Sequence, residues 1–440
     1  MPRTRPRLGP QPRMARMNIL FLHPNFPAQF RHMAAAFGSN KQHRVVFATM
    51  NERPEWKIPG VEKAVFGLKK GPDEGTPFMT RHFTEALMKG EAFYVLAKDM
   101  AKRGFTPDIV VGHSGWGTTM FVKDAFPKIP FVCFFEWYYR AFGSDADFDP
   151  SEPLTERTLL HIRAKNAPIL IDLAACDMGY SPTHWQKAQF PREFHGKIAV
   201  RHDGIDTTYF APMPGQTMVL PDLDLSLEQE IVTYATRGME PYRGFPQFMR
   251  ATEILLKKRP RCHVVIAGSD RVSYGRQLPE GETYKQRMLD TLDLDMSRVH
   301  FVGSLPYGQY KRLLQASHAH IYLTRPFVLS WSMLEAMSCG CCVVASDTAP
   351  VREVVRNDVN GLLVDFFSPE QIAARVGEVL DDPDRKRAIR EAARRTIVDR
   401  FDLARLLPGH LRMVVNVAQR KPPMEGVPLV PGADPQRAAT

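Results

Sequence analysis

The stretch RPFVLSWSMLEAMSCGCCVVASDTAPVREV, residues 325–354, predicts in order a loop, a helix, a turn, a buried strand and a second loop. Ser330 and Ser332 are alternative N-cap residues, since a hydroxyl there can accept a hydrogen bond from the free N–H groups of the first helical turn. Gly340 can supply the left-handed conformation that ends a helix. The apolar run CCVVA, residues 341–345, is typical of a strand covered on both faces.

Glu335 is the acid within this predicted helix, whose other residues are apolar or small. The start of a helix offers free N–H groups and the positive end of the helix dipole, which suit a phosphate. A carboxylate on about the first turn could bind a ribose hydroxyl beside that phosphate. Alternatively, Glu335 stabilises the N-terminus of its own buried helix. Local physical chemistry leaves both interpretations open.

The charge of the chain bounds the kind of partner that it binds. The 440 residues leave room for two domains, and the net charge of +10 with a pI of about 9.3 favours acidic partners such as nucleotide phosphates, nucleic acid or an anionic membrane surface. No basic–aromatic repeat or zinc-ligand spacing supports nucleic acid, so we expect none. We expect residues 1–16 to be a disordered basic extension, with Met17 as a candidate true start, and the Pro-rich residues 421–440 to be a disordered tail.

The six cysteines lie mostly in apolar stretches and lack metal-ligand spacing. We interpret them as reduced core residues of a cytoplasmic protein. No run approaches the ~18 apolar residues that span a bilayer. We therefore expect any membrane contact to be peripheral.

Strand and helix patterns alternate along the chain, which predicts two doubly wound, Rossmann-like domains. Residues 18–23 form an apolar strand, and the loop after it lacks the Gly-x-Gly-x-x-Gly fingerprint, which argues against NAD or FAD. The polar, Pro-containing residues 213–227 predict a linking loop. We place the N-terminal domain at 17–212 and the C-terminal domain at 228–402, followed by a helix at 403–420.

Polar residues stand where strands of the first domain end, which is where open α/β sheets bind ligands. His113 ends the third strand, and the alternative role is a histidine bonded into a loop. Asn25 and the polar residues of 29–32 could serve an acceptor, or could be ordinary surface residues at a helix start. The run EWYYR, residues 136–140, could stack on a sugar, although core packing is the commoner use of aromatic rings.

The central stretch resembles the donor-site motif of retaining family-four glycosyltransferases, which have the GT-B fold. In that motif a Glu is followed, after seven residues, by a second Glu, Ala-Met, a small residue, Gly and a strand. Residues 335–340 match the motif from its second Glu to its Gly, whereas Phe327 stands in the place of the first Glu. The resemblance implies two Rossmann-like domains that face each other across a cleft, with C-terminal helices that cross back to the first domain.

Other residues extend the resemblance. Arg237 matches an Arg of the family, and Arg243 stands in the place of a Lys with one extra residue between; both imply pyrophosphate binding, with two solvated loop arginines as the alternative. The turn at Gly303 implies contact with the nucleotide base. The run DGID, residues 203–206, resembles the family's hinge turn, and His113 matches by place a His near the donor sugar.

The resemblance implies transfer of a sugar from a nucleoside diphosphate sugar to an acceptor hydroxyl, with retained anomeric configuration. Glu335 would bind the ribose, and His113 would face the sugar. Arg237, Arg243 and the backbone N–H groups of residues 330–332 would stabilise the departing diphosphate. No Asp-x-Asp motif stands at a suitable loop, so we expect no metal and no cofactor. We expect a saccharide or lipid-linked acceptor in bacterial polysaccharide or glycolipid assembly, in the cytoplasm or at the inner face of the membrane.

Phe327 keeps other functions open, because it cannot accept the hydrogen bond that the family's Glu offers to the sugar. The alternatives are a sugar-nucleotide epimerase, which cleaves the same bond, and an inactive nucleotide-sugar-binding protein. A phosphorylase is disfavoured, since no lysine has a recognisable setting for pyridoxal phosphate. We favour an active transferase in which Ser330, Trp331 and Ser332 supply replacement contacts through hydroxyls and backbone N–H groups.

Overall fold

The computed structural model describes residues 16–425. Almost all of the predicted basic extension, residues 1–15, and most of the predicted tail, residues 426–440, lie outside the described residues. The described part contains a seven-stranded sheet, a six-stranded sheet and a two-stranded hairpin between them.

The first sheet contains β1 (Asn18–Leu22), β2 (Arg44–Thr49), β3 (Val61–Val65), β4 (Ile109–His113), β5 (Phe131–Phe134), β6 (Met178–Ser181) and β7 (Ile198–Val200). They pair in the order β3-β2-β1-β4-β5-β6-β7, and every pairing is parallel. The hairpin follows as β8 (Met218–Leu220) and β9 (Leu223–Leu225).

The second sheet contains β10 (Glu230–Gly238), β11 (Cys262–Ser269), β12 (Val299–Gly303), β13 (Ala319–Tyr322), β14 (Val343–Ser346) and β15 (Leu362–Val364). Their order is β12-β11-β10-β13-β14-β15, again parallel throughout. The strands β4, β5, β6, β13 and β14 are buried at every position. Helices on both faces of a parallel sheet explain these unbroken apolar runs.

The helices of the first half are α1 (Arg31–Gly38), α2 (Phe78–Lys102), α3 (Val122–Ala125), α4 (Glu156–Ala164), α5 (Ala167–Ala175) and α6 (His184–Gln189). Those of the second half are α7 (Phe245–Lys258), α8 (Tyr284–Thr291), α9 (Tyr307–Ala316), α10 (Trp331–Ser338), α11 (Ala349–Arg352), α12 (Pro369–Asp381), α13 (Pro383–Arg400) and α14 (Leu403–Ala418). Between residues 16 and 425, none of these helices is long and apolar enough to cross a membrane.

Two local predictions need correction. Residues 213–227, predicted to be a loop, contain the β8–β9 hairpin, in which Met218, Leu220 and Leu225 are buried in the same core as α9. Tertiary packing therefore orders a segment whose Pro and Asp residues favour a loop. The edge strand β3 was not predicted, because its sequence VEKAV is only partly buried and lacks an apolar run.

The helix α14 returns to the first sheet, as the predicted GT-B architecture requires. Met413, Val414 and Val417 are buried in one core with the side chains of β1, β5 and β6. The chain passes between the two halves once after β7 and once before α14. These two passages lie side by side, because the N–H of Ile205 donates to the carbonyl of Phe401 at 2.8 Å. The two Rossmann-like sheets and this return confirm the predicted fold class.

Met413→Ala should lower the stability of the whole protein, because the buried side chain of Met413 fills space between α14 and the first sheet. Deleting a buried Met side chain costs about 2–5 kcal/mol. The matched control is Met296→Ala, since Met296 is 48% exposed and should change the free energy of unfolding by less than about 0.5 kcal/mol. Thermal and urea unfolding measure the stability of both variants. Equal stability of the two would contradict the packing of α14 on the first sheet.

Candidate functional site

A cavity opens in the second half at the carboxyl ends of its strands, where parallel α/β sheets bind ligands. We name it the strand-end cavity. It is lined by Tyr234, Ala235, Thr236, Arg237, Arg243, Ala267, Gly268, Tyr274, Ser304, Leu305, Tyr307, Tyr310, Tyr322, Leu323, Ser330, Trp331, Ser332 and Glu335.

A second cavity adjoins it and is lined by residues of both halves. We name it the interdomain cavity. It is lined by Ala28, Gln29, Arg31, His32, Asp203, Gly204, Ile205, Asp206, Tyr209, Phe210, Tyr307, Trp331 and Glu335. Tyr307, Trp331 and Glu335 line both cavities and form the boundary between them.

The start of α10 faces the strand-end cavity. Ser330, rather than Ser332, is the N-cap: its hydroxyl accepts from the N–H of Ser332 at 3.3 Å, and the two hydroxyls lie 2.8 Å apart. The N–H of Ser330 itself donates to the hydroxyl of Tyr322 at 3.1 Å. The expected phosphate contact through the N–H groups of residues 330–332 is thus reduced, because those of Ser330 and Ser332 already donate within the protein. Ser330, Trp331 and Ser332 still line the cavity, so the positive end of the α10 dipole faces an anion there.

Glu335 lies on the second turn of α10, not on the first as expected, because the cap is Ser330. Its side chain is largely buried, at 5% exposure for the residue, and accepts a hydrogen bond from the Tyr307 hydroxyl. Burial raises the pKa of Glu335, and the bond from Tyr307 opposes that rise. A second hydroxyl donor entering from the cavity would stabilise the carboxylate further.

Arg237 and Arg243 reach the same cavity in different ways. Arg243 is buried, and its Nη1 donates to the hydroxyl of Thr324 at 2.6 Å and to that of Tyr322 at 3.3 Å. Arg237 is exposed and makes no hydrogen bond or ion pair with any residue in the described part of the chain. One guanidinium is thus fixed in place, and the other is free to meet a ligand.

Glu240 holds the loop that carries both arginines, a role that sequence reasoning missed. It is fully buried, and its carboxylate accepts from the backbone N–H groups of Ser273 at 2.9 Å, Tyr274 at 3.0 Å and Gly275 at 2.6 Å. These contacts tie the segment after β11 to the segment after β10. Three N–H donors to one carboxylate offset the cost of burying its charge.

Phe327 lies in an aromatic cluster and does not line either cavity. Its ring centroid is 4.8 Å from that of Trp137, 5.3 Å from that of Tyr242 and 5.5 Å from that of Tyr274. Trp137 belongs to the first half and the two tyrosines to the second. Phe327 therefore contributes apolar packing between the halves.

On the first half's side, His113 is buried and its Nδ1–H donates to the carbonyl of Ser114 at 2.7 Å. Its Nε2 lies 3.6 Å from Oε2 of Glu136. Oε1 of Glu136 accepts from Nε2 of Gln29 at 3.0 Å. The sequence pointed to the aromatic residues of 136–140 and not to Glu136 itself, which the structure places beside the predicted histidine.

Asp203 joins the two halves of the site. Its Oδ2 accepts from the indole Nε1–H of Trp331 at 3.2 Å. Burial, and secondarily the charge of Glu136, raise the pKa of Asp203 to about 7. At neutral pH this carboxyl is therefore divided between its charged and neutral forms.

The remaining predicted site residues, Gly303 and Asn25, line neither cavity. Gly303 ends β12, and its neighbours Ser304 and Leu305, rather than Gly303, line the strand-end cavity. Asn25 is exposed and lines neither cavity, and its N–H donates to Nδ1 of His23 at 2.8 Å. Within residues 16–425 no three His, Cys, Asp or Glu side chains are placed to hold a metal ion; the absence of a metal in the reaction stays a prediction.

Both halves of the chain match family models. The model of the glycosyl transferase family 4 group matches residues 41–210, and the model of glycosyl transferases group 1 matches residues 221–396. Together these ranges include the first sheet from residue 41 and almost all of the second half.

Curated relatives agree with these matches. A D-inositol 3-phosphate glycosyltransferase of Thermobispora bispora is 25% identical over 199 residues, which are 45% of this chain and 45% of the relative. An alpha-maltose-1-phosphate synthase of Mycolicibacterium smegmatis is 26% identical over 231 residues, 50% of this chain and 57% of the relative. The chain thus spans about half the length of the curated relatives it matches.

Solved structures show the same fold over nearly the whole chain. Anabaena Alr3699/HepE in complex with UDP-glucose has a TM-score of 0.66 and 16% identity, covering 92% of this chain and 99% of that chain. Sucrose-phosphate synthase from Thermosynechococcus elongatus has a TM-score of 0.64 and 16% identity, covering 90% of this chain and 97% of that chain.

If Glu335 binds the two ribose hydroxyls, Glu335→Gln should weaken the binding of UDP, GDP or ADP, whichever the wild type binds, by about ten-fold or more, since a hydrogen bond to a charged group contributes ~1.5–3 kcal/mol. Binding to the wild type should also weaken as the pH falls towards the raised pKa of Glu335, because a protonated carboxyl is the poorer acceptor. Tyr307→Phe removes a hydrogen-bond donor that stabilises the Glu335 carboxylate and should therefore raise its pKa further. Nucleotide binding by this variant should then begin to weaken at a higher pH than binding by the wild type. Calorimetry against pH measures all three proteins.

The matched control is Glu62→Gln, which changes an exposed carboxylate on β3, outside both cavities. Unchanged nucleotide affinity in a folded Glu335→Gln variant would contradict the ribose assignment.

Proposed function

Because the chain belongs to the glycosyltransferases of the GT-B fold, we propose that it moves a sugar from a nucleoside diphosphate sugar to an acceptor hydroxyl and retains the anomeric configuration. One observation carries the proposal: two arginines, a capped helix start and a buried carboxylate meet in one cavity at the strand ends of the second half. That set of groups suits a diphosphate with a ribose attached.

The charges in this cavity fit the leaving group of such a transfer. As the bond between sugar and phosphate breaks, negative charge builds up on the diphosphate. Arg243 and the positive end of the α10 dipole are held in place before the reaction, Arg237 is free to reach the diphosphate, and together they would stabilise that charge. Arg243 needs no reorganisation, since Thr324 and Tyr322 already fix its guanidinium.

Glu335 suits the ribose because hydroxyl groups donate to a carboxylate and the neighbouring cations lie in the same cavity. The turn at residues 303–305 suits the base, because Ser304 and Leu305 line the same cavity. We assign His113 and Glu136 to the sugar: they line neither cavity, but Glu136 contacts Gln29, which lines the interdomain cavity. The retained configuration is carried over from the family-four resemblance.

The interdomain cavity suits the acceptor. Gln29, Arg31 and His32 line it from the first half, and it adjoins the strand-end cavity at Trp331 and Glu335. We expect a free or lipid-linked saccharide there, within polysaccharide or glycolipid assembly. The cytoplasmic location and the contact with the inner face of the membrane stay predictions, as does the absence of a metal and of any nucleic-acid partner.

The transfer can be tested by first screening UDP-glucose, GDP-mannose and ADP-glucose for thermal stabilisation of the wild type, since a bound ligand raises stability by mass action. The stabilising donor is then incubated with saccharide acceptors, and products are analysed by NMR. A glycoside with the donor's anomeric configuration plus free nucleoside diphosphate is the expected result. An isomerised nucleotide sugar would instead identify an epimerase, and binding without turnover a nucleotide-sugar-binding protein.

Arg237→Ala should weaken the binding of the nucleoside diphosphate by about ten-fold while leaving the bare nucleoside nearly unchanged, because a charge-assisted hydrogen bond of ~1.5–3 kcal/mol is lost only for the phosphates. The matched control is Arg250→Ala, an exposed arginine of α7 outside the cavity. Calorimetry with both ligands measures the effect. Equal losses for nucleoside and diphosphate would refute the phosphate role.

Phe327→Glu should not raise the rate of transfer, and it should lower the melting temperature, since a carboxylate among three aromatic rings loses hydration without gaining a partner. Phe327→Leu keeps an apolar side chain and is the control. Transfer rates and thermal unfolding of the three proteins measure this. An inactive wild type that Glu makes active would overturn the prediction.

A further inference from the structure

Glu136 follows β5 and lies next to the interdomain cavity, since it contacts Gln29, which lines that cavity. On its own side, Gln29 donates to Oε1 at 3.0 Å and His113 Nε2 lies 3.6 Å from Oε2. The charges of Arg237, from the second half, and of Asp203 also act on this part of the site. The Glu136 side chain is 30% exposed, so it is neither a core residue nor a surface residue.

The contacts of Glu136 leave one of its oxygens available. Oε1 has a hydrogen bond of ordinary length, whereas the 3.6 Å between Oε2 and His113 is longer than a hydrogen bond. Nδ1 of His113 donates to the carbonyl of Ser114, and its Nε2 has no hydrogen-bond partner among the described residues. Oε2 of Glu136 is therefore a carboxylate oxygen that accepts no hydrogen bond of ordinary length from the described residues, on a side chain that is only partly buried.

The carboxylate of Glu136 is also in the right form to accept. Burial alone would raise its pKa, but His113 and Gln29 more than offset this, and the pKa is lowered from its usual value. The neighbouring carboxyl of Asp203 differs, because burial raises its pKa to about 7 and Trp331 already donates to its Oδ2. Of these two acids, Glu136 is the stronger acceptor at neutral pH.

In the second half, the position at which the resemblance implies a sugar-binding Glu carries an aromatic ring instead of a carboxylate. The segment after β13 carries Phe327, whose ring packs on Trp137, the residue next to Glu136. Position 327 therefore offers no side-chain acceptor to a sugar attached to a diphosphate in the strand-end cavity. The hydroxyl donors of the sugar then need their acceptor elsewhere.

We propose that Glu136 binds the transferred sugar: Oε2 of its carboxylate accepts a hydrogen bond from one sugar hydroxyl, while the hydrogen bond from Gln29 to Oε1 holds the carboxylate in position. This rests on the proposed function. Glu136 is thereby a specificity-determining residue, because a sugar that lacks that hydroxyl or presents it in the other orientation leaves a partly buried carboxylate without a donor. The arginines and Glu335 bind the nucleotide part whichever sugar is attached.

The test compares a nucleotide sugar with its own diphosphate. With the donor that stabilises the wild type, Glu136→Gln should weaken binding of the nucleotide sugar by about ten-fold or more, the loss expected for one charged hydrogen bond. Binding of the bare diphosphate should change by less than about two-fold. Glu62→Gln, an exposed carboxylate outside the cleft, is the control and should change neither. A Glu136→Gln variant that loses affinity for both ligands equally, or for neither, would overturn the proposal.

A second measurement begins with the wild type. It is titrated with the series of monodeoxy analogues of the same donor, and one analogue should bind about ten-fold more weakly than the others. In Glu136→Gln this difference should shrink to less than about three-fold. Equal binding of all analogues by the wild type overturns the inference alone. A wild type that binds neither the diphosphates nor their sugars overturns the proposed function as well.

Discussion

The orientation of α10 depends on arginines that hold its far end. The guanidinium of Arg394, from α13, donates to the carbonyl of Ser338 at 2.9 Å, of Phe210 at 2.8 Å and of Thr207 at 2.8 Å, while Arg390 donates to the carbonyl of Gly340. Two cations thus meet the negative end of the α10 dipole and satisfy carbonyls that are buried without helical partners. The same contact ties α10 to the chain that crosses between the halves, so the opposite end of the helix points into the cleft.

The parallel pairing of the strands determines which residues can meet near the start of α10. In both sheets every strand runs the same way, so the segments after the strands gather at one edge of each sheet. Glu136 follows β5 and Arg237 lies at the end of β10, and neither residue is near the other in sequence. The return of α14 onto the first sheet holds the two edges opposite each other. The site is therefore a property of the assembled fold, because Glu136 comes from the first half, whereas Arg237, Arg243 and Glu335 come from the second.

The sequence predicted those features that depend on residues close to one another in the chain. Apolar runs identified the buried strands, and the Ser–Gly pattern around α10 restricted its cap to Ser330 or Ser332 and identified its end at Gly340. Glu136 and Glu240 could not be found in this way, since their roles come from Gln29, 107 residues away, and from N–H groups 33 to 35 residues away. Nor could the hairpin of 218–225, whose few apolar side chains become ordered only against α9.

Phe327 belongs to a short segment whose side chains contact the first half. Two residues before it, the buried Arg325 donates to Asp149 at 3.0 Å and to Glu152 at 2.8 Å, both from the first half. With the ring of Phe327 on Trp137, this short segment joins the halves by an ion pair and an aromatic contact at once. Burying Arg325 is tolerable because two acids match it. A carboxylate at position 327 would lie among aromatic rings. It would also lack a cation to pair with, because Arg325 already pairs with Asp149 and Glu152. The segment of residues 325–327 therefore serves the contact between the halves, and the aromatic side chain at 327 contributes packing there and no hydrogen-bond acceptor.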